Sequence, residues 1–400
     1  MRVLVVTQYF WPENFRINDL VAGLVERGHE VTVLTGMPNY PGGQLFPSYR
    51  WNRPRRETRF GADIVRVPLI PRGRGGGMQL VANYLSFALT ASIAIFSRLG
   101  GRYDRIFVFE TSPITVGIPA VFAKKRFRAP IFFWVLDLWP ASLAATGAIT
   151  SRPILGLVSR LVRWIYRHCD HILVAARGFQ RDVEAHGAES RKITYFPNWI
   201  EPEYEELGAA APPGGAFTIT YAGNIGAAQD FPAVLEAIDD LSRTHPDVRW
   251  IFAGDGRLAG WFRDELDGRG LSGLVTFTGQ ISAVEVRELL ARSDALLVSL
   301  RPDPIFAITV PGKVQTYLAS GRPIVAMLDG EGAQVLVESG GAYVVAAGDH
   351  RELVRHIAKL MAEGAEHRNM LGARGREFAL REFERSALLD RLDALLRWTE

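Results

Sequence analysis

The sequence predicts an α/β protein built from two doubly wound, Rossmann-like domains that face a common cleft. Short apolar runs alternate with helical patterns from the first residue, and this alternation restarts after a segment rich in Gly and Pro at 208–216. A chain of 400 residues also exceeds the usual size of a single hydrophobic core. We therefore expect an N-terminal domain over residues 1–205 and a C-terminal domain over residues 206–383, with a C-terminal helix over about 384–400 that packs back onto the first domain.

The apolar runs are short and continuous, which is typical of strands buried on both faces of a parallel sheet. In the first half, the predicted strands lie near residues 2–7, 30–34, 63–67, 105–109, 131–135 and 171–175. In the second half, they lie near residues 217–222, 248–253, 275–278, 294–299, 323–326 and 342–345. Because ligands of such sheets bind at the carboxyl ends of the strands, the residues that follow each strand form the candidate site.

Composition limits the classes of partner and the compartment. The formal net charge of +3 is too small to indicate a nucleic-acid partner. Cys169 is the single cysteine, so no disulfide forms within the chain, and this fits a reducing, cytoplasmic compartment. Residues 1–7 run directly into Gln8 and Tyr9, which indicates a buried first strand rather than a signal peptide.

The segment after the first strand differs between the two halves. In the C-terminal half, the strand leads into Ala222-Gly-Asn-Ile-Gly226, whose glycines let a ligand approach open backbone amides. The corresponding segment of the N-terminal half, Gln8 to Asn14, contains no glycine. We therefore place a nucleotide diphosphate on the C-terminal domain and the second substrate on the N-terminal domain.

A second phosphate-binding feature follows the predicted strand at 294–299. The loop from Leu300 to Val310 is expected to enter a helix at Pro311, where unpaired amides carry partial positive charge. Lys313 adds a full positive charge in the same turn, which is unfavourable to the helix dipole unless an anion lies between. We favour Lys313 as a ligand of the diphosphate, and a solvated lysine is the alternative.

Carboxylates end two neighbouring strands of the N-terminal domain. Asp137 follows the strand at 131–135, where it is placed to orient or deprotonate an attacking hydroxyl. The alternative for Asp137 is an N-cap of the next segment. Glu110 ends the preceding strand and is either a polar wall of the site or a cap.

Three polar residues follow the first strand and lie beside the expected diphosphate: Glu13, Asn14 and Arg16. Arg16 near a helix start is unfavourable without an anion, so it is predicted to reach the substrate, with a solvated surface arginine as the alternative. Together with Glu110 and Trp139, these three residues form the predicted binding set for the second substrate.

An ordered set of short motifs, spread over nearly the whole chain, resembles the retaining GT-B glycosyltransferases of family 4. The motifs are Arg27-Gly-His-Glu-Val-Thr-Val-Leu34, Phe196-Pro-Asn-Trp-Ile200, Tyr221-Ala-Gly-Asn-Ile-Gly226, Ala253-Gly-Asp-Gly256, Phe277-Thr-Gly279 and Ser293-Asp-Ala-Leu-Leu-Val-Ser299. Further segments resemble the branch that contains N-acetyl-L-fucosaminyltransferases of O-antigen and capsule synthesis: Tyr9-Phe-Trp-Pro-Glu-Asn-Phe-Arg-Ile-Asn18, Pro38-Asn-Tyr-Pro41 and Asp137-Leu-Trp-Pro140.

The resemblance implies transfer of a sugar from a nucleotide-diphosphate donor to a lipid-linked or saccharide acceptor, with retention of configuration and without a metal. A UDP-sugar is then a substrate, no cofactor is expected, and the closer branch implies an N-acetylated deoxyhexosamine. The expected catalytic residues are Asp137 and Lys313. The expected donor-binding residues are Gly223, Asn224, Gly226, Gly254, Arg301, Val310, Gly312, Lys313, Gln315 and Thr316.

The sequence departs from the family at two glutamates that usually lie eight positions apart. Ile308 and Thr316 occupy those positions. Thr316 or Gln315 must therefore hold the ribose, and the apolar Ile308 suits a deoxy or acetylated sugar better than a mannose. The usual basic residues after the first C-terminal strand are also missing, which leaves Lys313 and Arg301 for the diphosphate.

No metal site is expected from the sequence. His168-Cys-Asp-His171 spans a helix end and a strand start, so its side chains diverge. No Asp-x-Asp pair offers ligands for Mg²⁺.

The N-terminal domain is predicted to attach peripherally to the inner face of the cell membrane. Residues 79–99 are apolar over a length that could span a bilayer, although a helix with one face on the sheet is preferred. A charged, solvated surface is the alternative to lipid contact. Basic residues that would meet anionic lipid are Arg72, Arg74, Lys124-Lys-Arg-Phe-Arg128, and a helical face of Arg160, Arg163, Trp164 and Arg167.

Two other functions remain open from the sequence. A sugar-nucleotide 2-epimerase shares the two-domain plan but needs acid and base groups that this chain shows poorly. A non-catalytic sugar-nucleotide-binding protein is compatible with the missing glutamate pair.

Overall fold

The computed structural model describes residues 1–53, 55–73, 76–205 and 215–397, and the chain divides into two compact units. Unit 1 contains Met1–Phe196 and the chain from Leu389 onward, and unit 2 contains Pro197–Leu388. Arg74, positions 208–214 of the expected linker and residues 398–400 of the expected last helix lie outside the described residues.

The described part of unit 1 contains a sheet of eight strands in the order β3-β4-β2-β1-β5-β6-β7-β8. The strands are β1 (Arg2–Val6), β2 (Glu30–Gly36), β3 (Arg55–Arg59), β4 (Ala62–Val67), β5 (Arg105–Glu110), β6 (Ile131–Val135), β7 (His171–Val174) and β8 (Ile193–Tyr195). The helices are α1 (Ile17–Glu26), α2 (Gly77–Ser97), α3 (Gly117–Phe127), α4 (Ala141–Ala145), α5 (Arg152–His168) and α6 (Phe179–Ala185). The order reverses at β1, which pairs in parallel with both β2 and β5.

Two strands of unit 1 were not predicted from the sequence. β3 pairs antiparallel with β4 at the edge of the sheet, and its sequence, Arg-Arg-Glu-Thr-Arg, contains no apolar residue. An edge strand needs only one ladder of hydrogen bonds and buries little side-chain surface, so hydrophobic periodicity does not reveal it. β8 is three residues long and pairs only with β7 among the described strands.

The described part of unit 2 contains a six-stranded parallel sheet in the order β11-β10-β9-β12-β13-β14. The strands are β9 (Thr218–Ala222), β10 (Arg249–Ala253), β11 (Val275–Gly279), β12 (Ala295–Ser299), β13 (Ile324–Met327) and β14 (Ala342–Val345). The helices are α7 (Pro202–Glu205), α8 (Phe231–Thr244), α9 (Ala259–Gly268), α10 (Ala283–Ala291), α11 (Pro304–Ala307), α12 (Lys313–Ala319), α13 (Gly330–Ser339), α14 (His350–Ala362), α15 (Gly364–Glu382) and α16 (Arg385–Arg397).

Each sheet is doubly wound, so each has a point where the strand order reverses. In unit 2 this point lies at β9, between β10 and β12. Open sheets of this kind bind ligands beside the carboxyl ends of the strands at the reversal. The two doubly wound α/β units confirm the predicted fold class.

The boundary between the units lies at Phe196, earlier than the expected residue 205. The chain after Phe196 is fastened to the C-terminal end of α15 in unit 2, because the amide of Ile200 donates to the carbonyl of Phe383, the C-cap of this helix, at 2.9 Å. Arg376 of the same helix donates to the Tyr204 carbonyl at 3.3 Å. These hydrogen bonds assign residues 197–204 to unit 2.

The last helix, α16, begins in unit 2, and its residues from Leu389 onward belong to unit 1. Asp390 pairs with Arg27 at 2.7 Å, and Asp393 lies 2.6 Å from Nε2 of the buried His29. The Arg105 guanidinium donates to the carbonyl of Leu396 at 2.6 Å. These contacts hold the C-terminal segment against the amino ends of β2 and β5, which is the packing expected from the sequence.

Candidate active site

The turn after β9 in unit 2 brings two glycines into close contact. The amide of Gly223 donates to the Ala253 carbonyl at 2.8 Å, and the φ angles of Gly223 and Gly254 are +141° and +137°. A Cβ atom on Gly254 would lie 2.0 Å from the Gly223 carbonyl oxygen. Only glycine fits this approach, so the ends of β9 and β10 present bare backbone.

The helix after β12 begins later than the sequence suggested. α12 starts at Lys313 with Gly312 at its N-cap, rather than at Pro311, and the preceding loop contains the short helix α11. The residues from Val314 to Ala319 are all buried, so α12 is held by packing against unit 2 rather than by its own length.

The ammonium of Lys313 is buried, and no described residue pairs with its charge. Its Nζ lies 3.5 Å from the centre of the Tyr221 ring and has no hydrogen-bond acceptor among the described residues. The residue as a whole is half-buried, but its charged end is inaccessible, and burial lowers the pKa of Lys313 well below its usual value. A Cβ atom on Gly223 would lie 3.0 Å from this Nζ, so the charge lies directly beside the glycine turn.

A buried ammonium is costly unless an anion neutralises it. The Tyr221 ring face provides part of the stabilisation through a cation–π contact, but it carries no negative charge. The site is therefore electrostatically incomplete, and an anion in the glycine turn would complete it. The alternative of a solvated lysine is excluded by the inaccessible Nζ.

Two tyrosines that the sequence analysis did not single out hold this site together. The Tyr317 hydroxyl accepts from the amide of Ala222 at 2.6 Å and donates to the carbonyl of the same residue at 3.1 Å. The Tyr221 hydroxyl donates to the Asn224 carbonyl at 2.5 Å. Tyr317 thus joins α12 to the end of β9 across 95 positions of sequence, a pairing that no local pattern signals.

The remaining donor-site residues of unit 2 differ in surroundings. Gln315 and Thr316 are buried on α12, and the Gln315 Oε1 atom has no hydrogen-bond partner among the described residues. The guanidinium of Arg301 lies 3.7 Å from Asp303, while its backbone amide donates to the Ala228 carbonyl. Asn224 is exposed in the glycine turn.

Three further predicted positions frame the same region. Val310 is 9% exposed, and Gly312 is exposed at the N-cap of α12. Gly226 is buried, and its amide donates to the Gln229 side chain at 3.2 Å. Of the predicted donor-binding residues, the structure brings Gly223, Gly254 and Lys313 into direct proximity.

In unit 1, Glu110 at the end of β5 is completely buried. Neither carboxylate oxygen has a hydrogen bond of good geometry among the described residues, although the amides of Leu136, Asp137 and Ser112 lie near it. Burial, together with the neighbouring Asp137 carboxylate, raises the pKa of Glu110 well above its usual value. Glu110 is therefore neither a helix cap nor an exposed wall, and its predicted contact with the acceptor is wrong, because the closed packing at the end of β5 leaves the side chain inaccessible.

Asp137 is the accessible member of this acidic pair. Its Oδ2 accepts from the Trp139 indole at 3.1 Å, and burial raises the pKa of Asp137 above its usual value. Pro140 occupies the N-cap of α4 and no side chain caps that helix, so the N-cap alternative for Asp137 is excluded. A carboxyl group with a raised pKa at the carboxyl end of a strand suits general acid–base chemistry.

Glu13 fastens loops together and is not free to bind an acceptor. It is 1% exposed, and its carboxylate accepts from the amides of Asn39 and Tyr40 at 2.8 Å and from that of Phe10 at 3.1 Å. Burial raises the pKa of Glu13 to about 7 despite these three amides. The expected substrate contact of Glu13 is therefore replaced by a structural role, because the loops after β1 and β2 use both of its oxygens.

The other predicted acceptor-binding residues differ in exposure. Asn14 is exposed, and Arg16 is half-buried at the N-cap of α1. Trp139 is 6% exposed, and its ring packs edge-on against Tyr84 at 6.0 Å.

Arg72 lies in an aromatic cluster rather than on a lipid-facing surface. Its guanidinium lies 5.7, 5.3 and 5.9 Å from the ring centres of Tyr9, Tyr40 and Tyr84, and it donates to the Tyr9 hydroxyl. These ring partners come from distant segments of the chain, so the sequence around Arg72 did not reveal them, and Arg72 was assigned to the membrane surface from its charge alone.

Helix α2 is the one helix of the described residues that is long and apolar enough to cross a membrane. A third of its most apolar window is buried, which is the packing of a helix with one face on a sheet. The opposite face forms an exposed apolar stripe of Met78, Val81, Leu85, Leu89, Ile93 and Phe96.

The predicted basic segments contain hydrogen-bonded and exposed residues, and Arg126 is both. Lys124 pairs with Asp170 at 2.7 Å, and Arg126 donates to the carbonyls of Phe96 and Leu99. The exposed basic residues are Lys125, Arg126, Arg128, Arg160, Arg163 and Arg167.

The residues from His168 to His171 point in different directions. The His168 ring contacts the Trp164 carbonyl at 2.7 Å, whereas the His171 ring stacks on Phe132 at 4.7 Å. Across the described ranges, no group of three His, Cys, Asp or Glu side chains is arranged to hold a metal ion.

Comparison with known families assigns both halves of the chain. Residues 14–199 match the "Glycosyl transferase 4-like domain", and residues 216–363 match "Glycosyl transferases group 1". The putative colanic acid biosynthesis glycosyl transferase WcaI of Escherichia coli is 26% identical over 339 residues, which cover 80% of this chain and 82% of that protein. The probable glycosyltransferase WbjE of Pseudomonas aeruginosa is 25% identical over 57% of this chain and 60% of its own length.

Solved structures share the fold at low identity. The Anabaena protein Alr3699/HepE, in complex with UDP and glucose, superposes with a TM-score of 0.68 at 16% identity and 100% coverage of both chains. WaaG, a glycosyltransferase involved in lipopolysaccharide biosynthesis, gives a TM-score of 0.71 at 13% identity, again over the whole of both chains. These structures show that the fold is that of the GT-B glycosyltransferases. Because the two glycosyltransferase domain families together match most of the chain, the chain belongs to the glycosyltransferases.

Proposed function

We propose that this glycosyltransferase moves a sugar from a nucleotide-diphosphate donor, a UDP-sugar, to a lipid-linked or saccharide acceptor in surface polysaccharide synthesis. The observation that carries the donor assignment is the buried, unpaired ammonium of Lys313 beside the Gly223 turn. WcaI is described as a colanic acid biosynthesis enzyme and WaaG as a lipopolysaccharide biosynthesis enzyme, and both descriptions support a role of this protein in polysaccharide synthesis. The UDP bound to Alr3699/HepE supports the donor class.

Lys313 and the open backbone at Gly223 and Gly254 would stabilise the diphosphate as it leaves. Negative charge develops on the leaving group while the anomeric carbon gains positive character, and a preorganised cation in a water-poor site stabilises that charge strongly. Binding of the diphosphate also returns the pKa of Lys313 toward its usual value, because an adjacent anion favours the charged form.

Asp137 is proposed to orient the acceptor hydroxyl and to accept its proton. The Trp139 indole fixes one oxygen of its carboxylate, and the Ser142 hydroxyl and the Leu138 amide also lie close to this carboxylate. The residues that would hold the acceptor beside it are Asn14, Arg16 and Trp139. Retention of configuration and independence from metal are part of the proposal, and activity that survives EDTA treatment is the expected result.

The proposed sugar is an N-acetylated deoxyhexosamine. Ile308 is half-buried at the C-terminal end of α11, close in sequence to Lys313, and supplies an apolar contact where a hydroxyl-binding carboxylate would favour a mannose-like sugar. The branch of N-acetyl-L-fucosaminyltransferases fits this surface.

A panel of UDP-sugars and other nucleotide sugars, with and without a lipid-linked acceptor, tests the function. Transfer releases the nucleoside diphosphate only when acceptor is present, and N-acetylated deoxyhexosamines should react fastest. Epimerisation with the diphosphate intact would establish the epimerase instead, and binding without turnover of any donor would establish a binding protein.

We also propose peripheral attachment to the cytoplasmic face of the membrane. The exposed apolar stripe of α2 supplies apolar area, and the exposed basic residues of α3 and α5 supply attraction of about 1 kcal/mol each to anionic lipid. Co-sedimentation with anionic vesicles that high salt partly reverses is the expected result. If the protein stays on the vesicles in both high salt and alkaline carbonate, α2 spans the membrane. If the protein binds no vesicles of any composition, the proposed membrane attachment is wrong.

A further inference from the structure

A pocket of about 410 Å³ opens in unit 1, and none of the residues assigned above contributes to it. Met37, directly after β2, forms one wall, and its amide donates to the Val67 carbonyl at the end of β4. Asn52 forms another, and its side chain both donates to the Leu69 carbonyl at 2.7 Å and accepts from the Leu69 amide. The pocket therefore lies at the carboxyl end of the sheet, where open α/β sheets bind their ligands.

The pocket has an exposed aromatic ring on one side and a buried one beside it. Trp51 is 71% exposed, although a large apolar side chain is normally removed from water. The Arg50 guanidinium lies 5.0 Å from the Trp51 ring centre and covers one face. Tyr49 is buried, and its hydroxyl donates to Glu57 at 3.1 Å. A flat indole at the mouth of a concave site suits the apolar C–H face of a sugar ring.

The charge around the pocket is strongly positive. The segment from Tyr49 to Arg59 carries arginines at positions 50, 53, 55, 56 and 59, and its one acidic residue is Glu57. Glu57 is already neutralised, because the Nε of Arg66 lies 2.5 Å from its carboxylate and Arg66 is completely buried. Arg55 also pairs with Glu57, at 3.2 Å. Three guanidinium groups, those of Arg53, Arg55 and Arg66, thus accompany the single carboxylate of Glu57, so the surface in and around the pocket is net cationic.

The same buried arginine lies behind the pocket, 4.8 Å from the ring centre of Tyr49. Arg66 donates to the Gly36 carbonyl at 3.1 Å and to the Trp11 carbonyl, so it joins the end of β2 to the loop after β1. Arg55 lies 4.7 Å from the Tyr49 ring centre and donates to the Ser48 carbonyl at 3.1 Å. Arginines held in this way lose little side-chain entropy when an anion binds, so the site is preorganised.

We propose that this pocket is an acceptor subsite for a saccharide that carries an anionic group. Trp51 packs against the sugar ring, and Arg53 and Arg55 pair with a carboxylate or a phosphate attached to that ring. Planar guanidinium groups match both anions through paired hydrogen bonds. The inference rests on the proposed function, because it assigns the chemical class of the second substrate of the same enzyme.

Ligand-observed NMR on the full chain tests the subsite without any need for turnover. The probes are methyl glucuronide, glucose 1-phosphate and the neutral methyl glucoside. We expect at least one anionic probe to bind about tenfold more tightly than the glucoside, which corresponds to roughly one well-placed charged hydrogen-bond pair. The glucuronide identifies a uronate-type saccharide as the ligand, and the phosphate identifies a phosphosugar.

Variants of exposed residues make the test specific. Trp51→Ala should abolish binding of the anionic probe, and Arg53→Gln should remove its advantage over the glucoside. Arg181→Ala, at an exposed arginine of α6 in the same unit, should leave binding unchanged. Equal binding of charged and neutral probes, or wild-type binding by Trp51→Ala, would overturn the proposal.

UDP binding, measured in parallel by calorimetry, separates this inference from the donor assignment. If the wild-type chain binds the anionic probe but not UDP, the donor assignment is contradicted and the acceptor subsite is not. If the wild-type chain binds UDP but shows no preference for anionic probes, the proposed acceptor subsite is contradicted and the donor assignment is not.

Discussion

Lys313 in unit 2 and Glu110 in unit 1 are both buried ionisable groups at the carboxyl side of a parallel sheet, and both lack good hydrogen bonds among the described residues. Their surroundings differ. The ammonium of Lys313 faces the Tyr221 ring and a glycine turn, and no described carboxylate forms a hydrogen bond with it. The carboxyl of Glu110 has a second acid, Asp137, as its neighbour.

The difference shows two ways of reducing the cost of a buried charge. Glu110 does so by keeping its proton, since burial and the Asp137 charge both raise its pKa. Burial instead lowers the pKa of Lys313, and an anion that binds beside the glycine turn would favour its charged form again. The buried carboxyl group of Glu110 therefore needs no ligand, whereas we propose that the buried Lys313 is neutralised by the diphosphate of the donor.

The largest expected effect is the loss of transfer in Lys313→Ala. Removing one preorganised positive charge from a leaving group lowers turnover by about 10²- to 10³-fold. Initial rates and the dissociation constant of UDP measure the effect. Lys359→Ala, at an exposed lysine of α14, is the matched control and should retain wild-type values.

Lys313→Met sharpens this result because it keeps the aliphatic packing and removes only the charge. Without ligand, this variant should unfold at a higher temperature than the wild type, since a buried unpaired cation has been removed. UDP should raise the melting temperature of the wild type but not of the variant. Equal stabilisation of both proteins by UDP would place the diphosphate away from Lys313.

Asp137→Asn is expected to lower turnover by about 10²-fold, the lower end of the range for a general base. The amide keeps the shape and the hydrogen bond from the Trp139 indole but cannot accept the proton of the acceptor. The dissociation constant of UDP should not change, and Asp247→Asn, at an exposed position of unit 2, is the control for an Asp to Asn change. Wild-type turnover at all pH values would leave Asp137 without a chemical role.

The sequence predicted the strands that lie in the interior of both sheets because their apolar runs are buried on both faces. It also placed Lys313 and Asp137 correctly at carboxyl ends, since this position follows from strand order alone. It could not predict the burial of the Lys313 Nζ, which depends on Tyr221 and Gly223 in a segment about ninety residues earlier. The functions first assigned to Glu13 and Glu110 were wrong because exposure at a strand end depends on the loops that cover it.

Glu13→Ala tests a buried carboxylate whose two oxygens, unlike those of Glu110, both accept hydrogen bonds from described backbone amides. It leaves three backbone amides without their acceptor, so unit 1 should be destabilised by about 2–4 kcal/mol. Hydrogen exchange at the amides of Asn39 and Tyr40 should become faster, and Asn14→Ala, at the exposed neighbouring position, should leave their exchange unchanged. Unchanged protection in Glu13→Ala would mean that the loops are held by other contacts.

Glu110→Gln should change the unfolding free energy of unit 1 by less than Glu13→Ala does, and in the opposite direction. In the native state, Glu110 keeps its proton above the pKa of an unfolded glutamate, about 4.3, so the native state binds more protons than the unfolded state. The unfolding free energy of unit 1 therefore falls as pH rises from that value toward the raised native pKa. Glutamine has the same shape and no proton to lose, so the variant should lack this slope and be more stable than the wild type at pH 8.

Hydrogen exchange of the β5 and β6 amides between pH 5 and pH 8 follows this slope in unit 1 alone, after correction for the intrinsic pH dependence of exchange. The groups that face Glu110 are Asp137 and the Tyr166 hydroxyl of α5, and Asp137→Asn should reduce the slope because it removes the charge that helps to raise the Glu110 pKa. Glu189→Gln, at an exposed glutamate, is the control. A wild-type slope in Glu110→Gln would show that Glu110 is ionised and partnered in solution, and the contrast between a proton-neutralised site in unit 1 and a ligand-neutralised site in unit 2 would then fail.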